Sequence, residues 1–307
     1  MSTSQNMKIL ITGSNGLLGQ KLVRLFAKDA QITLVATARG KNRLKSDTGY
    51  EFLQMDITNK EEVLTTIQST QPDVVINTAA MTNVDECELN KEACWIANVE
   101  SVSYLVEACE KTNAFLLHVS TDFIFDGSEG PLAEEAEANP VNYYGKSKLA
   151  AEKIVQNSLL KWSIARTVLV YGIVDDMSRS NIILWVKNSL EQGKQINVVD
   201  DQWRTPTLAE DLANGCALIA RKKAQGIFNI SGKDMLTPLN MAYKVVDFFK
   251  LDGSLITRAD SSTFSQPAKR PAKTGFDISK AQKILNYKPR SFDEGIEIVA
   301  AQVADKS

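Results

Sequence analysis

Short, continuous apolar runs alternate with amphipathic stretches through the first half of the chain. Such runs are typical of strands buried on both faces of a parallel sheet, and the stretches between them carry apolar residues at helical spacing. The predicted strands are 9–11, 32–37, 52–55, 73–77, 115–119 and 163–170, and the predicted helices between them begin near residues 17, 59, 91 and 143. This alternation, sustained from residue 7 to about 171, predicts an α/β fold with a doubly wound parallel Rossmann sheet.

The first predicted strand runs into a turn with three evenly spaced glycines, Gly13, Gly16 and Gly19. A strand that turns on glycines into a helix brings backbone N–H groups and the positive end of the helix together, which suits a phosphate. Gly13 would allow the tight turn, Gly16 the approach of a pyrophosphate, and Gly19 the packing of helix on strand. The first gap is one residue longer than in the usual fingerprint, but the position of the turn predicts a dinucleotide site.

The ends of the second and third predicted strands carry further candidates for binding the dinucleotide. The second strand is followed by Arg39, with Lys41 and Arg43 close behind, and by no carboxylate that could bind the ribose hydroxyls of NAD. An arginine at this place accommodates the extra phosphate of NADP, so the sequence favours NADPH, with NADH as the alternative. Asp56, at the end of the third strand, could cap the following helix or accept a hydrogen bond from an adenine amino group.

The alternation becomes less regular beyond Gly172. Helices are predicted near 180–192, 208–221, 239–249, 279–285 and 292–301, strands near 196–199 and 227–230, and an extended loop over 261–274. We therefore expect an NAD(P)-binding Rossmann core over residues 1–172 that also receives about 207–231. Residues 173–206 and 232–307 are expected to form a smaller C-terminal substrate-binding lobe.

Composition and charge narrow the class of protein. The chain has 307 residues, 44% of them hydrophobic and 23% charged, as in ordinary soluble globular proteins. The formal net charge of −2 gives no basic field that would favour nucleic acid. No apolar run approaches the roughly 18 to 20 residues of a membrane span, so no membrane partner is expected. The first seven residues, MSTSQNM, lack the pattern of a signal peptide and are expected to form a short disordered tail.

The cysteines and the single histidine restrict the chemistry. The four cysteines show no C-x-x-C pairing, which favours free thiols in a cytoplasmic protein. His118 lies inside a predicted buried strand, where a histidine is more often packed and hydrogen-bonded than catalytic. One histidine cannot build a histidine-rich metal site, and we assign no metal-ligating residues. Acid–base chemistry would therefore use another side chain.

Tyr144 and Lys148 are candidates for that chemistry, because residues four apart on a helix share one face. A nearby ammonium favours the phenolate and is expected to lower the pKa of the tyrosine. A hydroxyl at a neighbouring strand end, Thr121 or Ser120, could hold a carbonyl oxygen together with Tyr144. Hydride from a nicotinamide could then reach the carbonyl carbon while Tyr144 supplies the proton.

The order of these motifs resembles that of the extended short-chain dehydrogenase/reductases and, more narrowly, the dTDP-4-dehydrorhamnose reductases. The resemblance covers residues 7–301 and is carried by TGSNGLLG (12–19), NTAAMTNVDECE (77–88), VSTDFIFDG (119–127), NPVNYYGKSKLAAE (139–152), RTVLVYG (166–172) and VDDQWRTPT (199–207). It implies an NADPH-dependent reduction of the 4-keto group of a nucleotide-linked 6-deoxysugar. The chain departs from these reductases at Leu169, where they usually have a tryptophan that would contact the deoxysugar.

The resemblance also implies roles for individual residues. The catalytic residues would be Thr121, Tyr144 and Lys148. The cofactor would contact Gly13, Asn15, Gly16, Leu17, Leu18, Arg39, Asp56, Ile57, Ala79, Ala80, Tyr144 and Lys148. The nucleotide-sugar substrate would contact Val84, Asp85, Thr121, Asp122 and, in a loop over 200–207 that closes on its nucleotide end, Arg204. A homodimer is a further expectation, because relatives form dimers.

Two alternatives stay open. One is another nucleotide-sugar enzyme of the superfamily, an epimerase or a dehydratase-like relative. The S-T-D-F-I-F-D-G stretch favours a reductase over an epimerase, and Phe123 after Asp122, where a dehydratase would have Glu, counts against a dehydratase. The other alternative is a non-catalytic regulatory subunit that binds dinucleotide, as in the β subunit of methionine adenosyltransferase. The intact set of Thr121, Tyr144 and Lys148 favours catalysis.

Overall fold

A computed structural model describes residues 6–176 and 181–304 of the chain. The strands are β1 (Met7–Thr12), β2 (Ile32–Ala38), β3 (Glu51–Gln54), β4 (Val74–Asn77), β5 (Phe115–Thr121), β6 (Trp162–Thr167), β7 (Val170–Tyr171), β8 (Ile196–Val199), β9 (Thr207–Leu208), β10 (Gly226–Asn229) and β11 (Ile256–Ala259). The helices are α1 (Leu17–Phe26), α2 (Lys60–Thr70), α3 (Val84–Leu89), α4 (Lys91–Trp95), α5 (Ser101–Thr112), α6 (Tyr143–Gln156), α7 (Ile182–Glu191), α8 (Ala209–Lys222), α9 (Pro238–Phe249), α10 (Ser279–Leu285) and α11 (Phe292–Ala304). Residues 1–5 of the expected disordered tail and residue 180 of a predicted helix lie outside the described residues, whereas Met7, also expected in the tail, is the first residue of β1.

A seven-stranded parallel sheet forms the centre of the fold, in the order β10-β6-β5-β4-β1-β2-β3. Alternate residues of β1 face opposite layers of helices. Ile9 and Ile11 pack in an apolar cluster with α1 and α8, and Leu10 packs in a second cluster with α2, α5 and α6. Because both faces are covered, the central strands carry apolar runs, such as Ile9–Ile11 in β1 and Val74–Ile76 in β4. The predicted doubly wound α/β class is confirmed.

A third apolar cluster lies in the C-terminal part of the chain. It combines α7, α9 and α11 with the two-stranded parallel pair of β8 and β11. The residues between Phe276 and Tyr287, by contrast, contribute side chains to the cluster that contains β1, α1 and α8. The expected division into a core and a substrate-binding lobe therefore stays a prediction, and the stretch 276–287 packs with the sheet.

The structure differs from the sequence-based expectations in two places near the sheet. The predicted helix over 91–111 is interrupted by a π-helical turn, Ile96–Glu100, between α4 and α5. The predicted strand over 163–170 ends at Thr167, because Leu169 takes a left-handed backbone conformation with φ of +37°. The chain then forms β7, which pairs with β9 in a separate parallel pair.

Two more expectations can be compared with the described residues. No helix within residues 6–176 and 181–304 is both long and apolar enough to cross a membrane. Cys87, Cys94, Cys109 and Cys216 are all buried free thiols, so the predicted absence of pairing among the four cysteines is confirmed.

Candidate active site

The candidate site is built on the carboxyl ends of β1, β4 and β5, which are neighbours in the sheet, and on the first turns of α6. The side chain of Asn142 caps α6 by accepting a hydrogen bond from the N–H of Gly145 at 2.8 Å. A Cβ at Gly145 would collide with the carbonyl oxygen of Phe123, so this glycine lets α6 approach the turn after β5. The approach places the Tyr144 ring edge-on to Phe123, with 5.9 Å between ring centroids.

Tyr144 is 9% exposed, and burial raises the pKa of its phenol. The Thr121 hydroxyl lowers that pKa in part, whereas the charge of Asp122 raises it further. The expectation that Lys148 would leave Tyr144 with a lowered pKa is therefore wrong for this structure, because the loss of water outweighs the other effects. The consequence is a phenol that keeps its proton at neutral pH.

Lys148, one turn further along α6, is held against β5 rather than by a carboxylate. Its Nζ donates to the carbonyl oxygen of Val119 at 2.7 Å and lies 3.1 Å from His118 Nε2. The side chain is almost completely buried, and burial lowers the pKa of the ammonium to about 8, although the charge of Glu152 acts in the opposite direction. Lys148 therefore remains largely an ammonium at neutral pH.

Thr121 is the last residue of β5 and lies beside Tyr144. Its Oγ1 donates to Asp122 Oδ1 at 3.1 Å and accepts the N–H of Phe123 at 3.2 Å. The Asp122 carboxyl group is buried, also accepts the hydroxyl of Thr274, and has a pKa raised by that burial. The structure thus brings the three predicted catalytic residues together at one strand end.

The glycine turn has the shape that a pyrophosphate needs. Gly13 has φ of +68°, and a Cβ there would lie 2.8 Å from the backbone of Ala79. The turn ends at Gly16, which is the N-terminal cap of α1. The N-terminus of α1 has no capping side chain, and its first turn contains no acidic residue. The Oγ of Ser14 is buried in this turn and has no hydrogen-bond partner among the described residues. An uncapped, positive helix end and an unsatisfied hydroxyl fit an anionic ligand.

The segment after β2 is ordered by Asn15. Its Nδ2 donates to the carbonyl oxygen of Lys41 at 2.9 Å, and its Oδ1 accepts the N–H of Arg43 at 2.9 Å. Arg39 is exposed, and its guanidinium is paired with no other residue in the part of the chain that the structure describes. An unpaired guanidinium at the end of β2 is available for a ribose phosphate.

Asp56 does not cap the helix that follows it. Asn59 caps α2, by accepting the N–H groups of Glu61 and Glu62, so that alternative for Asp56 is wrong. Asp56 Oδ1 instead accepts the N–H and the hydroxyl of Thr58 at 2.9 and 2.8 Å. The role of Asp56 towards adenine stays a prediction, as does that of its half-buried neighbour Ile57.

An ion pair and a set of hydrogen bonds to backbone carbonyls hold the segment 268–274 beside the site. Arg270 forms a two-pronged ion pair with Asp85, at 2.5 and 2.6 Å, and this contact holds the pKa of Asp85 below its usual range. The buried Arg204 guanidinium donates to the carbonyl oxygens of Pro271 and Ala272, and its Nε lies 3.7 Å from Asp122 Oδ2. Because the Asp85 carboxylate and the Arg204 guanidinium are both engaged within the chain, the roles predicted for them towards substrate stay predictions.

A small cluster of side chains packs against the other side of Tyr144. It contains Cys87, Cys94 and the half-buried Val84. Hydrogen bonding with Cys87 lowers the pKa of Cys94 to about 7, while the same contact raises the pKa of Cys87.

Among residues 6–176 and 181–304, no three His, Cys, Asp or Glu side chains form a group that could hold a metal ion.

With this geometry in place, the chain can be compared with known proteins. The family model described as the RmlD substrate binding domain matches residues 7–304. The chain belongs to this family. A dTDP-4-dehydrorhamnose reductase from Aggregatibacter actinomycetemcomitans is 31% identical over 309 residues, which cover 96% of this chain and 98% of the relative.

Members of the reductase family also match in three dimensions. The solved structure of a dTDP-4-dehydrorhamnose reductase from Clostridium acetobutylicum superposes with a TM-score of 0.87 at 28% identity, covering 97% of this chain and all of the other. A relative with a different name is the methionine adenosyltransferase 2 subunit beta of Bos taurus, 30% identical over 91% of this chain and 83% of the relative. The predicted resemblance to the reductase family is confirmed.

Sequence reasoning missed Asn98, which the π-helical turn points towards the site. Its side chain accepts the N–H of Met81 at 2.8 Å and donates to the carbonyl oxygen of the same residue at 3.0 Å. It also donates to Ser147 Oγ on α6 at 3.1 Å. Asn98 therefore ties the loop after β4 to the helix that carries Tyr144. The extra residue of a π turn often marks a functional position in this way, but no local sequence pattern announces it.

Proposed function

We propose that this chain is an NADPH-dependent reductase of the 4-keto group of a nucleotide-linked 6-deoxysugar, with dTDP-4-dehydro-β-L-rhamnose as the first substrate to test. One observation carries the proposal. A buried, protonated Tyr144 lies beside the Thr121 hydroxyl, and the Lys148 ammonium is fixed one helical turn away. The similarity to reductases along nearly the whole chain supports the same reaction.

The residues present fit a nicotinamide dinucleotide. The uncapped end of α1 and the Ser14 hydroxyl would bind the pyrophosphate, with Ala79 and Ala80 leaving room beside the turn. Arg39 would bind the 2′-phosphate that distinguishes NADPH from NADH. The cofactor supplies a hydride when it is bound.

The side chains of this protein would handle the proton. The hydroxyls of Thr121 and Tyr144 would hold the substrate carbonyl oxygen, and Tyr144 would give that oxygen its proton. The raised pKa of Tyr144 suits an acid, because the phenol stays protonated until the oxygen becomes basic. The Lys148 ammonium would stabilise the phenolate that remains. Positioned proton transfer of this kind contributes about 10²- to 10⁴-fold to the rate.

A second candidate function is supported by one of the relatives. The similarity to methionine adenosyltransferase 2 subunit beta extends over most of both chains, so a regulatory subunit that binds dinucleotide without turnover is the alternative. The two functions differ in one measurable property. A reductase oxidises NADPH when the sugar is added, whereas a binding subunit leaves the cofactor unchanged.

The test is the loss of NADPH absorbance with purified protein and dTDP-4-dehydro-β-L-rhamnose, with NADH in parallel. Tyr144→Phe is expected to lower kcat at least about 100-fold, because the proton donor is lost. Tyr143→Phe is the matched control, because Tyr143 is the neighbouring tyrosine on α6. Its ring is half-buried and lies under Lys91, with 5.5 Å from Nζ to the ring centroid. Equal rates for Tyr144→Phe and the parent would refute the role of Tyr144. Cofactor binding without sugar-dependent oxidation would favour the regulatory subunit or another keto-sugar.

Substrate identity needs a panel of nucleotide sugars. Leu169, 43% exposed, follows β6 in a left-handed conformation, where the resemblance implies contact with the deoxysugar. We expect the preference among 4-keto sugars to change in Leu169→Trp, measured as the ratio of kcat/KM values. A homodimer and a cytoplasmic location stay predictions.

A further inference from the structure

Three polar side chains lie side by side across the middle of the sheet. The register pairs Thr12 of β1 with Asn77 of β4, and Asn77 with His118 of β5. All three side chains are at most 1% exposed. Two residues earlier on the same face of each strand are Leu10, Val75 and Leu116, which pack in the apolar cluster with α2, α5 and α6. A row of buried polar groups in an apolar layer is costly unless its members satisfy one another.

The row is connected and ends at the candidate catalytic lysine. Thr12 Oγ1 lies 2.6 Å from Asn77 Oδ1, and Asn77 Nδ2 lies 3.0 Å from His118 Nδ1. The other ring nitrogen, Nε2, lies 3.1 Å from Lys148 Nζ. Both nitrogens of the only histidine therefore have a partner, one on the sheet and one on α6.

We propose that His118 is a positioning residue for Lys148: its Nε2 and the Val119 carbonyl oxygen fix two of the three ammonium donors, while Asn77 and Thr12 fix the imidazole ring. The third donor of the ammonium is then left for the reacting groups. This inference rests on the proposed reductase function, in which the Lys148 ammonium faces Tyr144. His118 itself contacts neither substrate nor cofactor.

The chain of hydrogen bonds has two self-consistent proton arrangements. When Lys148 is an ammonium, His118 Nε2 accepts, so the ring proton is on Nδ1 and the Asn77 amide turns its oxygen to the ring and its nitrogen to Thr12. When Lys148 is a neutral amine, His118 can donate from Nε2, and Nδ1 accepts from the Asn77 amide nitrogen, which is the orientation that the Asn77 amide has in the structure; the first arrangement differs from it by a reversal of the amide. Loss of one proton from Lys148 therefore gives the amine a lone pair that can accept from Nε2, which allows the proton of the imidazole to move from Nδ1 to Nε2.

The surrounding charges allow this exchange near neutral pH. Burial and the charge of Lys148 hold the pKa of His118 well below its usual range, so the ring is neutral in both arrangements. Lys148 is influenced by Glu152 on its own helix and by Cys94 on α4, both of which raise its pKa. The partners of His118 on the sheet, Asn77 and Thr12, carry no charge. Within the row of Thr12, Asn77, His118 and Lys148, it is thus Lys148 that titrates, at a pH near 8.

The single histidine makes a direct test simple. In protein prepared without a histidine tag and labelled with ¹⁵N-histidine, the two ring-nitrogen signals come from His118 alone. At pH 7 we expect the proton on Nδ1, with a change to Nε2 as the pH rises through about 8. In Lys148→Met that change is expected to disappear. Two results would overturn the proposal, whether or not the protein turns over the sugar. One is an imidazole that takes up a second proton near the usual pKa of histidine, and the other is an imidazole that carries its proton on Nε2 at pH 7.

Two substitutions of His118 distinguish the contribution of Nε2 from that of Nδ1. The amide of His118→Gln lies near the place of Nε2 and can accept from Lys148, whereas that of His118→Asn lies near Nδ1 and can reach only Asn77. Because an acceptor stabilises the ammonium, its loss lowers the Lys148 pKa, and the fall of kcat at high pH should begin at lower pH. We expect a shift of about one pH unit in His118→Asn, and the parental profile in His118→Gln.

The stability of each variant is measured beside its pH profile. A purely structural role would lower the melting temperature of both variants and leave the fall of kcat at its parental pH. That result would overturn the proposal. Absence of sugar-dependent turnover in the parent would refute the proposed function alone, because the ¹⁵N signals report on the lysine–histidine contact without it.

Discussion

The helix that carries Tyr144 and Lys148 is anchored to the sheet by a third residue of the same face, Glu152. Arg166 on β6 donates to both carboxylate oxygens of Glu152, from Nε at 3.0 Å and from Nη2 at 2.8 Å. Its Nη1 donates to the carbonyl oxygen of Glu134 at 2.8 Å. The side chains of this ion pair are 5% and 0% exposed.

The substitution Glu152→Gln keeps the size of the side chain and removes its charge, which leaves the Arg166 guanidinium buried without a counter-ion. Breaking a buried pair in this way typically destabilises a protein by about 3–5 kcal/mol. The matched control is Glu191→Gln in the i,i+4 pair with Lys187 on α7, whose side chains are 46% and 24% exposed. For such a surface pair we expect a loss of only about 0.3–0.5 kcal/mol.

The assay is urea unfolding followed by both fluorescence and circular dichroism, with agreement between the two signals as the condition for a free energy of unfolding. A loss below about 1 kcal/mol in Glu152→Gln would refute the reasoning, because the pair would then behave as a surface pair. The double substitution Glu152→Leu with Arg166→Met removes both charges and should recover most of the loss. Failure to recover would assign the effect to packing rather than to the unpaired charge.

Two further substitutions test the approach of the cofactor and of the catalytic helix. Arg39→Ala should raise KM for NADPH about tenfold and leave KM for NADH unchanged. The reason is that a charge-assisted contact contributes about 1.5 kcal/mol and only NADPH carries the 2′-phosphate. An equal change for both cofactors would contradict the assignment. Gly145→Ala should lower stability by about 1–3 kcal/mol, since the new Cβ meets the Phe123 carbonyl, whereas Gly40→Ala, with open space around it, is the control in the same thermal unfolding assay.

The sheet could be predicted because its central strands are continuous apolar runs, which are visible in the sequence of each strand alone. The runs around Ile9, Val75 and Leu116 are apolar without interruption, and each is followed along the chain by a stretch with apolar residues at helical spacing. The short pairs escaped prediction for the opposite reason. β7 and β9 are two residues each, and β11 contains the exposed Thr257 and Arg258, so their pairing depends on contacts with distant parts of the chain.

The candidate site was predictable where its geometry is local. Thr121 closes a strand, and Tyr144 and Lys148 share a helix face by their spacing. The supporting contacts are not local: Arg270 meets Asp85 across 185 residues. Asn98 reaches the site only because a π turn inserts an extra residue into a helical pattern that otherwise continues.

His118 shows how the same residue can be interpreted correctly from the sequence and still have an unseen role. Its strand predicts a buried, hydrogen-bonded ring, and the structure confirms that. Its partners, however, follow from the order β1-β4-β5 and from a register that aligns Thr12, Asn77 and His118. A shift of one residue in either pairing would turn a polar side chain to the opposite face and break the row. The contact of the sheet with Lys148 therefore depends on how three strands align, which no single segment of the sequence encodes.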